Sequence, residues 1–249
     1  MGRTPFSAIC FSVKFIKRES FCPSMDLFEA MIERRSIRKF TDEPVAWGDV
    51  VRIIEAGMSA PSSGNLQNWR LIIVTDEAKR KAIAEASAQQ YWMGKAPVLI
   101  AVCSDMDKMR KFYGIRGERL YAIQNCAAAV ENMLLAAYSL GLGACWIGAF
   151  DENAVQRVLE NPDSTRIEAI VPIGHPDESP DSPSRYSIET LCFFEKWGNR
   201  MKDMPGVLWD FDVAGKAIRK GRKAGSSLSH HSRHLIEKIA GKIKKIKKK

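Results

Sequence analysis

Residues 60–74, APSSGNLQNWRLIIV, combine a dense polar loop with the start of a buried strand. Residues 48–58 before the loop carry apolar side chains at helical spacing, and the RLIIV run after it is rich in β-branched residues. A plain connection between a helix and a strand needs about two to six residues. Here the connection is crowded with serine hydroxyls and with asparagine and glutamine amides, which can bond a planar heterocycle, and Gly64 permits close backbone approach. We therefore predict a binding loop fixed between two core elements, with an elaborate polar turn as the alternative.

Helices and strands alternate around this loop, which predicts a sheet covered by helices. The longest segment, 118–141, is apolar nearly all round between Cys126 and Tyr138 and is expected to be a central buried helix. Further helices are predicted at about 26–33, 48–58, 77–91 and 151–160, and strands at 70–75, 97–104, 144–150 and 166–176. Residues 186–194 are predicted to be an edge strand or an extension. The pattern indicates an α+β or α/β fold with a mixed sheet.

The first of these helices is short and follows two candidate N-caps, Ser24 and Asp26. Its apolar residues Leu27, Met31 and Ile32 are expected to line one side. Met25 is an alternative start of the protein, which would make the preceding residues an upstream extension.

The net charge of +9 is concentrated at the carboxyl end of the chain. Residues 216–249 contain 13 Lys and Arg and one acidic residue, so they carry +12, whereas the remaining 215 residues carry −3. The basicity therefore belongs to a tail and not to the body of the protein. Within 233–249, isoleucines on one helical face oppose lysines on the other, which predicts a basic amphipathic helix. Such a helix is either solvated or makes weak contact with anionic membranes or nucleic acid.

The chain accordingly divides into an N-terminal extension (1–24), a main domain (25–200) and a C-terminal extension with the basic tail (201–249). No apolar stretch is long enough to span a membrane, and the N-terminal residues are not expected to be a signal peptide. The six cysteines form no CxxC pair, which favours reduced thiols and a cytoplasmic protein. Peripheral association with a membrane surface is an option that only the tail provides.

The segment RRSIRKF, residues 34–40, follows the first helix and brings three arginines and a serine within a few residues. Guanidinium groups donate paired hydrogen bonds to phosphate oxygens, so this cluster suits a phosphate dianion. Basic residues at a helix C-terminus are also common because they offset the helix dipole, and on this segment alone both interpretations stay open.

Four segments together resemble the FMN-dependent nitroreductase family in order and spacing: RRSIRKF, APSSGNLQNWRLIIV, GLGACWIGAF (141–150), and Arg185 followed by SIETL. The resemblance covers about residues 25–197, and the second segment is its most specific part. It implies a three-layer α/β/α sandwich with a mixed central sheet and an intertwined homodimer. It also implies two FMN molecules in the subunit interface, each contacted by both chains.

The resemblance assigns FMN-binding roles to particular positions of this sequence. The segment that holds the phosphate and ribityl chain matches Arg34, Arg35, Ser36 and Arg38. The loop along the ribityl chain and the isoalloxazine ring matches Ser62, Ser63, Asn65 and Gln67. The backbone near N5 and O4 of the ring matches Ile147 and Gly148, and the late arginine that returns to the phosphate matches Arg185. Two departures from the family pattern are Asn68, where proline is frequent, and Pro183 in place of a second basic residue.

The resemblance implies an oxidoreductase that takes hydride from NADH or NADPH and reduces nitroaromatic, quinone or similar conjugated acceptors by a ping-pong mechanism. FMN carries the hydride, so no side chain is named as catalytic and no metal is expected. Some relatives use FMN for dehalogenation, flavin fragmentation or ring oxidation, and residues 104–118 would decide between such activities. An alternative from a different functional class is a binding protein that acts through the basic tail.

Other residues with reactive side chains are expected to be structural. Cys126 lies in an apolar helix far from any histidine in sequence, so a packing role is favoured over a nucleophile. His230 and His234 have the spacing of metal ligands but lie in a basic, serine-rich linker. The tryptophans are expected in the core or in a dimer interface, with stacking near a flavin as an option for one of them: Trp92, Trp146, Trp197 and Trp209. No GxGxxG follows a strand, which argues against a dinucleotide-binding fold.

Overall fold

The structure is a computed structural model, and it describes residues 26–199. The N-terminal extension, the residues beyond 199, the histidines at 230–234 and the predicted tail helix lie outside this range. The helices are α1 (Leu27–Glu33), α2 (Trp47–Met58), α3 (Glu77–Ala86), α4 (Met106–Arg116), α5 (Ala122–Ser139), α6 (Glu152–Leu159) and α7 (Ile188–Leu191). The strands are β1 (Trp69–Val74), β2 (Val98–Asp105), β3 (Gly143–Ala144) and β4 (Thr165–Gly174). Ser63–Asn65 and Tyr91–Lys95 form short 3-10 helices, and Gly117–Tyr121 forms a short π-helix.

Aspartate caps begin several helices where the sequence predicted them. Asp26 Oδ1 accepts from the Phe28 N–H at 2.9 Å, which selects Asp26 over Ser24 as the cap of α1. Asp151 Oδ1 accepts from the Ala154 N–H at 3.0 Å and caps α6 in the same way. Along α1, however, only Ala30 is buried, whereas Leu27 and Met31 are 58% and 47% exposed in the single chain. The expected inward face of α1 is therefore open to solvent here.

The sheet has the strand order β1-β2-β4-β3, and all three strand pairs are antiparallel. The parallel part of the expected mixed sheet is confined to an isolated bridge between Ser36 and Ala144. Alternate residues of β2 enter opposite cores: Val98, Ile100 and Val102 pack with α2 and α5, while Leu99, Ala101 and Cys103 pack towards α3 and α6. The expected three-layer arrangement of helices, sheet and helices is therefore confirmed, with one face of α5 buried against the sheet.

Three predicted elements differ in extent or type in the structure, and α4 (Met106–Arg116) occupies residues for which no element was predicted. The helix expected over 77–91 ends at Ala86, because Ala88 and Gln89 adopt left-handed φ angles of 53° and 58°. The strand expected over 144–150 pairs as a strand only at Gly143–Ala144 and then touches β4 through a bridge between Ile147 and Ile170. Residues 188–191 form α7, which replaces the strand part of the prediction for 186–194.

Pro172 explains the interrupted pairing of β3. Ile147 and Ile170 exchange both backbone hydrogen bonds, at 2.9 and 3.0 Å, so hydrogen-bonded pairs recur every second residue in this register. The next such pair towards β3 joins Cys145 and Pro172, and proline has no N–H to donate. The ladder is therefore broken at this point and leaves the segment around Cys145 free to bend.

Candidate functional site

The backbone of the arginine segment is held along the β3 edge of the sheet. The Ile37 N–H donates to the Ala144 carbonyl at 3.1 Å, and Ile37 and Phe40 are each only 8% exposed. On its other side the Thr41 N–H donates to the His175 carbonyl at 2.9 Å. Glu178 accepts hydrogen bonds from two successive backbone N–H groups, those of Arg38 and Lys39. The alternating side chains between these anchors therefore have fixed directions.

Arg34, Ser36 and Arg38 are alternate residues of the segment, and each of them acts on the thiol of Cys145. Burial raises the pKa of this thiol, while the positive charges of Arg38 and Arg34 and a hydrogen bond with Ser36 act in the opposite direction. Nε of Arg34 is shielded from solvent and has no hydrogen-bond partner among residues 26–199. A buried donor without an acceptor is costly unless a ligand supplies one. This cluster fits an anionic group such as the phosphate of FMN.

Arg35 is engaged differently from its neighbours. Its Nη1 donates to the carbonyl of Ile32 at 2.6 Å and to the carbonyl of Arg34 at 2.8 Å. These carbonyls belong to the end of α1, so Arg35 caps that helix and offsets its dipole. The helix-capping interpretation that the sequence left open therefore applies to this arginine, and its role towards FMN stays a prediction.

A groove of about 430 Å³ lies beside the arginine segment. Phe40 and Trp92 stack there with ring centroids 6.4 Å apart. The lining side chains are mostly charged or aromatic: Arg38, Lys39, Phe40, Trp92, Lys95, Asp177 and Glu178. Arg38 thus borders an accessible cavity.

The polar loop at 61–68 is organised by its own side chains. The Gln67 N–H donates to Ser62 Oγ at 3.0 Å, and Gln67 Nε2 donates to Asn65 Oδ1 at 3.1 Å. Asn65 and Gln67 adopt left-handed φ angles of 55° and 47°. Ser63 bonds instead to Asn125 on α5, through its N–H at 3.0 Å and its hydroxyl at 3.2 Å. These bonds therefore join Ser62, Asn65 and Gln67 to one another, and they join Ser63 to α5.

Tyr113 of α4 closely approaches Gly64, the residue expected to let a ligand come near the loop. A Cβ on Gly64 would overlap Tyr113 Oη, and the φ of Gly64 is +55°. Tyr113 packs edge-on against Tyr121 at 5.5 Å, and Arg116 Nε donates to the Tyr121 hydroxyl at 3.0 Å. An aromatic and cationic cluster therefore stands over the loop.

Ile147 and Gly148 differ in what their backbones offer. Both the N–H and the carbonyl of Ile147 are bonded to Ile170, at 2.9 and 3.0 Å. The N–H of the exposed Gly148 donates to no acceptor in the described part of the chain. Of the two predicted donors near the flavin ring, only Gly148 has its N–H available.

The loop and the arginine segment lie at diagonally opposite corners of the sheet. Trp69, next to the loop, pairs with Ser104 and through it with Arg166, whereas Ala144 pairs with Ile173. Arg166 and Ile173 are about 23 Å apart along β4, at about 3.3 Å per residue. The two corners are also separated by about 14 Å across the sheet, because adjacent strands are about 4.8 Å apart. Within one chain the two groups are therefore about 27 Å apart along the diagonal of the sheet.

Arg185 is exposed, and within 26–199 it forms no hydrogen bond or ion pair. The structure therefore does not join it to the arginine segment.

Cys126 is fully buried, and burial raises the pKa of its thiol far above the ordinary value. This environment supports the packing role expected for Cys126.

Sequence reasoning missed Asn125, Tyr113 and Glu178. Asn125 had one signal, since an asparagine in the apolar stretch of a buried helix needs hydrogen-bond partners. Tyr113 lies within residues 104–118, which were expected to decide between activities, but nothing in the sequence indicated its contact with Gly64, and Glu178 had no signal at all.

A family model described as the Nitroreductase family matches residues 31–92 and 88–175. The chain is 35% identical over 249 residues to the FMN reductase [NAD(P)H] of Bacillus subtilis (strain 168), covering 88% of this chain and 99% of that protein. Nitroreductase A from Vibrio parahaemolyticus RIMD 2210633 has a similar structure, with a TM-score of 0.64, 25% identity, and coverage of 88% of this chain and 92% of that one. The FMN-dependent nitroreductase from Clostridium difficile R20291 has a TM-score of 0.59, 25% identity, and coverage of 68% and 98%.

Proposed function

The chain belongs to the nitroreductase family, and from this premise we propose that it is an FMN-dependent oxidoreductase that uses NADH or NADPH. The acceptor class is a nitroaromatic, a quinone or a similarly conjugated compound. The observation that carries the proposal is the buried Nε of Arg34, which has no acceptor among residues 26–199 and belongs to the same segment as Ser36 and Arg38. The names of the relatives support the cofactor and the nicotinamide donor.

The arginine segment and the loop divide the binding of FMN between them. In this proposal the cations of Arg34 and Arg38 bind the phosphate, with Arg185 as a further candidate. The loop residues Ser62, Ser63, Asn65 and Gln67 line the ribityl chain and the ring. Gly148 offers a backbone N–H at the ring edge, while the backbone of Ile147 keeps its neighbour in place through the bonds to Ile170.

The chemistry supplied by bound FMN is hydride transfer from NAD(P)H to an electron acceptor. The protein orients the reactants, and the N–H of Gly148 stabilises negative charge at the ring edge. The nicotinamide and the electron acceptor would occupy the same substrate position in turn. This predicts parallel lines in double-reciprocal plots of the steady-state rates. We name no side chain as a general acid.

The separation of the arginine segment from the loop within one chain supports a site that is completed by two copies of the chain. We propose a homodimer in which the loop of one subunit meets the arginine segment of the other. Exposed apolar side chains on α1 and α2 suit a subunit contact, since Leu27, Phe28 and Trp47 are 58%, 61% and 60% exposed.

Visible absorption of the purified protein tests the cofactor. We expect flavin bands that bleach when NADH or NADPH is added without oxygen, and the faster donor identifies the nicotinamide preference. A colourless protein that shows no saturable binding of added FMN would refute the proposal.

Hybrid dimers test the shared site. Arg34→Ala and Asn65→Ala chains are co-expressed with different tags, and the dimers that carry both tags are isolated. If each site takes its loop and its arginines from different subunits, the hybrid has one site with both changes and one intact site. We therefore expect about one FMN per hybrid dimer and very little in either variant homodimer. A hybrid as empty as the homodimers would show that each chain holds its own complete site.

A cytoplasmic location is part of the same proposal, because Cys103, Cys126, Cys145 and Cys192 are all free thiols. Within residues 26–199 no helix combines the length and the hydropathy needed to cross a bilayer. The alternative function through the basic tail concerns residues outside the described range.

A further inference from the structure

Asn125 lies on α5 directly under the polar loop and is only 4% exposed. Its side-chain oxygen accepts two hydrogen bonds from Ser63, one from the backbone N–H at 3.0 Å and one from the hydroxyl at 3.2 Å. A backbone N–H can only donate, so the atom that faces it must be the carboxamide oxygen. The orientation of the Asn125 amide is therefore fixed by chemistry.

The amide nitrogen of Asn125 then points at Asn68. Nδ2 of Asn125 donates to Oδ1 of Asn68 at 2.6 Å, and Asn68 is fully buried. The backbone carbonyl of Asn68 accepts from the Asp105 N–H at 2.8 Å, which ties the same residue to the end of β2. One asparagine side chain on α5 thus bonds both the first and the last part of the loop.

The backbone between these two anchors is strained. Asn65 and Gln67 are non-glycine residues with φ angles of 55° and 47°, in the left-handed region that such residues rarely adopt. The surrounding structure must hold them there. The internal bonds of Gln67 to Ser62 and Asn65 join loop residues only to each other, so they do not fix the loop to the core.

We propose that Asn125 is a positioning residue: paired with Asn68, it holds the loop Ser62–Gln67 in the conformation that FMN meets. The inference rests on the proposed function for the identity of the ligand. Asn125 acts through Ser63 and Asn68 and sets how well the loop is organised before the ligand arrives. Such preorganisation strengthens binding because the loop loses less conformational entropy when FMN binds.

Asn125→Leu removes the hydrogen bonds to Ser63 and to Asn68 and keeps the number of side-chain heavy atoms, and Asn132→Leu is its matched control. Asn132 lies two turns further along α5 and donates to the Ala56 carbonyl at 3.1 Å, so it ties the same helix to α2 and not to the loop. FMN dissociation constants are measured by flavin fluorescence on protein freed of flavin. Amide hydrogen exchange of the peptide 60–69 is measured in parallel, without FMN.

We expect Asn125→Leu to weaken FMN binding about 10- to 100-fold and to speed exchange in 60–69, because the Ser63 N–H loses its acceptor. Asn132→Leu is expected to leave both quantities near those of the wild-type protein. Asn125→Asp keeps an acceptor for Ser63, and the Asn68 amide can rotate to donate to the new carboxylate. This variant is expected to restore FMN binding to within about threefold of the wild type. It also tests the proposal if the leucine variant does not fold.

Equal FMN constants for the Asn125→Leu and Asn132→Leu proteins would overturn the inference, as would an Asn125→Asp protein no better than the leucine variant. Unchanged exchange in 60–69 would overturn it as well. A wild-type protein that binds no FMN would refute the proposed function itself. The two failures are therefore distinguishable.

Discussion

Replacing Gly143 by alanine tests whether the arginine segment depends on the absence of a side chain in β3. A Cβ at this position would lie 2.9 Å from both Cβ and Cγ2 of Ile37 and 3.0 Å from its Cγ1. Ile37 is branched at Cβ and nearly buried, so it cannot rotate out of the way. The neighbours of Ile37 in sequence are Ser36 and Arg38, so any shift moves the candidate phosphate site.

The expected loss of stability follows from overpacking. Forcing extra atoms into a packed position costs about 1–3 kcal/mol. Alanine restricts the unfolded chain more than glycine does, and this stabilises the folded protein by about 0.5 kcal/mol. We therefore expect a net loss of about 1–2 kcal/mol, which lowers Tm by about 2–8 °C for a domain of this size.

Urea unfolding and FMN titration of the same preparations measure the effect. Gly48→Ala is the control, because no atom lies within 4 Å of a Cβ there and alanine favours helix α2. In an Ile37→Ala background, which lacks Cγ1 and Cγ2, Gly143→Ala should be at least about 0.5 kcal/mol less destabilising. Equal effects of Gly143→Ala in both backgrounds, or an unchanged Tm, would refute the reasoning.

Two further predictions concern buried ionisable groups. Burial raises the pKa of the Cys126 thiol, so above about pH 9 the unfolded chain loses a proton that the folded protein keeps, and stability falls as pH rises. Between pH 9 and 10.5, the unfolding free energy of the Cys126→Ala protein should therefore fall less steeply than that of the wild-type protein, by about 1.4 kcal/mol per pH unit. Equal slopes for the two proteins would contradict this prediction. Arg166 binds the Glu168 carboxylate at 2.7 Å, and the Glu168 side chain is only 10% exposed. In urea unfolding, Arg166→Met is expected to destabilise the protein by about 3 kcal/mol, because it leaves the Glu168 carboxylate buried without its partner. The double variant Arg166→Met/Glu168→Met is expected to lose much less stability. Equal losses for the single and the double variant would argue against this explanation.

Local signals in the sequence were sufficient for much of the fold. The apolar run around Cys126 predicted the buried helix α5, and Asp151 capped α6 as its position before the helix indicated. In both cases the deciding interactions lie within a few residues of each other along the chain. The three-layer arrangement followed because alternating helices and strands have few ways to bury their apolar faces.

The errors arose where distant residues decide. Ala88 and Gln89 favour helix, yet the chain turns there, and the Asp151 N–H bonds the Ala86 carbonyl at 2.8 Å where α3 ends. The pairing of β3 depends on Pro172, which belongs to a different strand.

In the candidate site too, local signals could be predicted and contacts between distant residues could not. The residue types around Arg34 and Ser62 indicated an anionic, planar ligand, because that chemistry depends on the side chains themselves. The sequence could not indicate that the backbone of Ile147 is already bonded or that Tyr113 stands over Gly64. Each of those facts depends on packing between elements.

The diagonal placement of the loop and the arginine segment has a consequence for how the protein responds to dilution. If neither chain alone can hold FMN, cofactor binding and subunit association are thermodynamically linked. Diluting the protein then releases flavin, and adding flavin draws chains together. The apparent affinity for FMN is in that case a function of protein concentration, and a cell that makes little of this protein would hold it largely as separate, colourless chains.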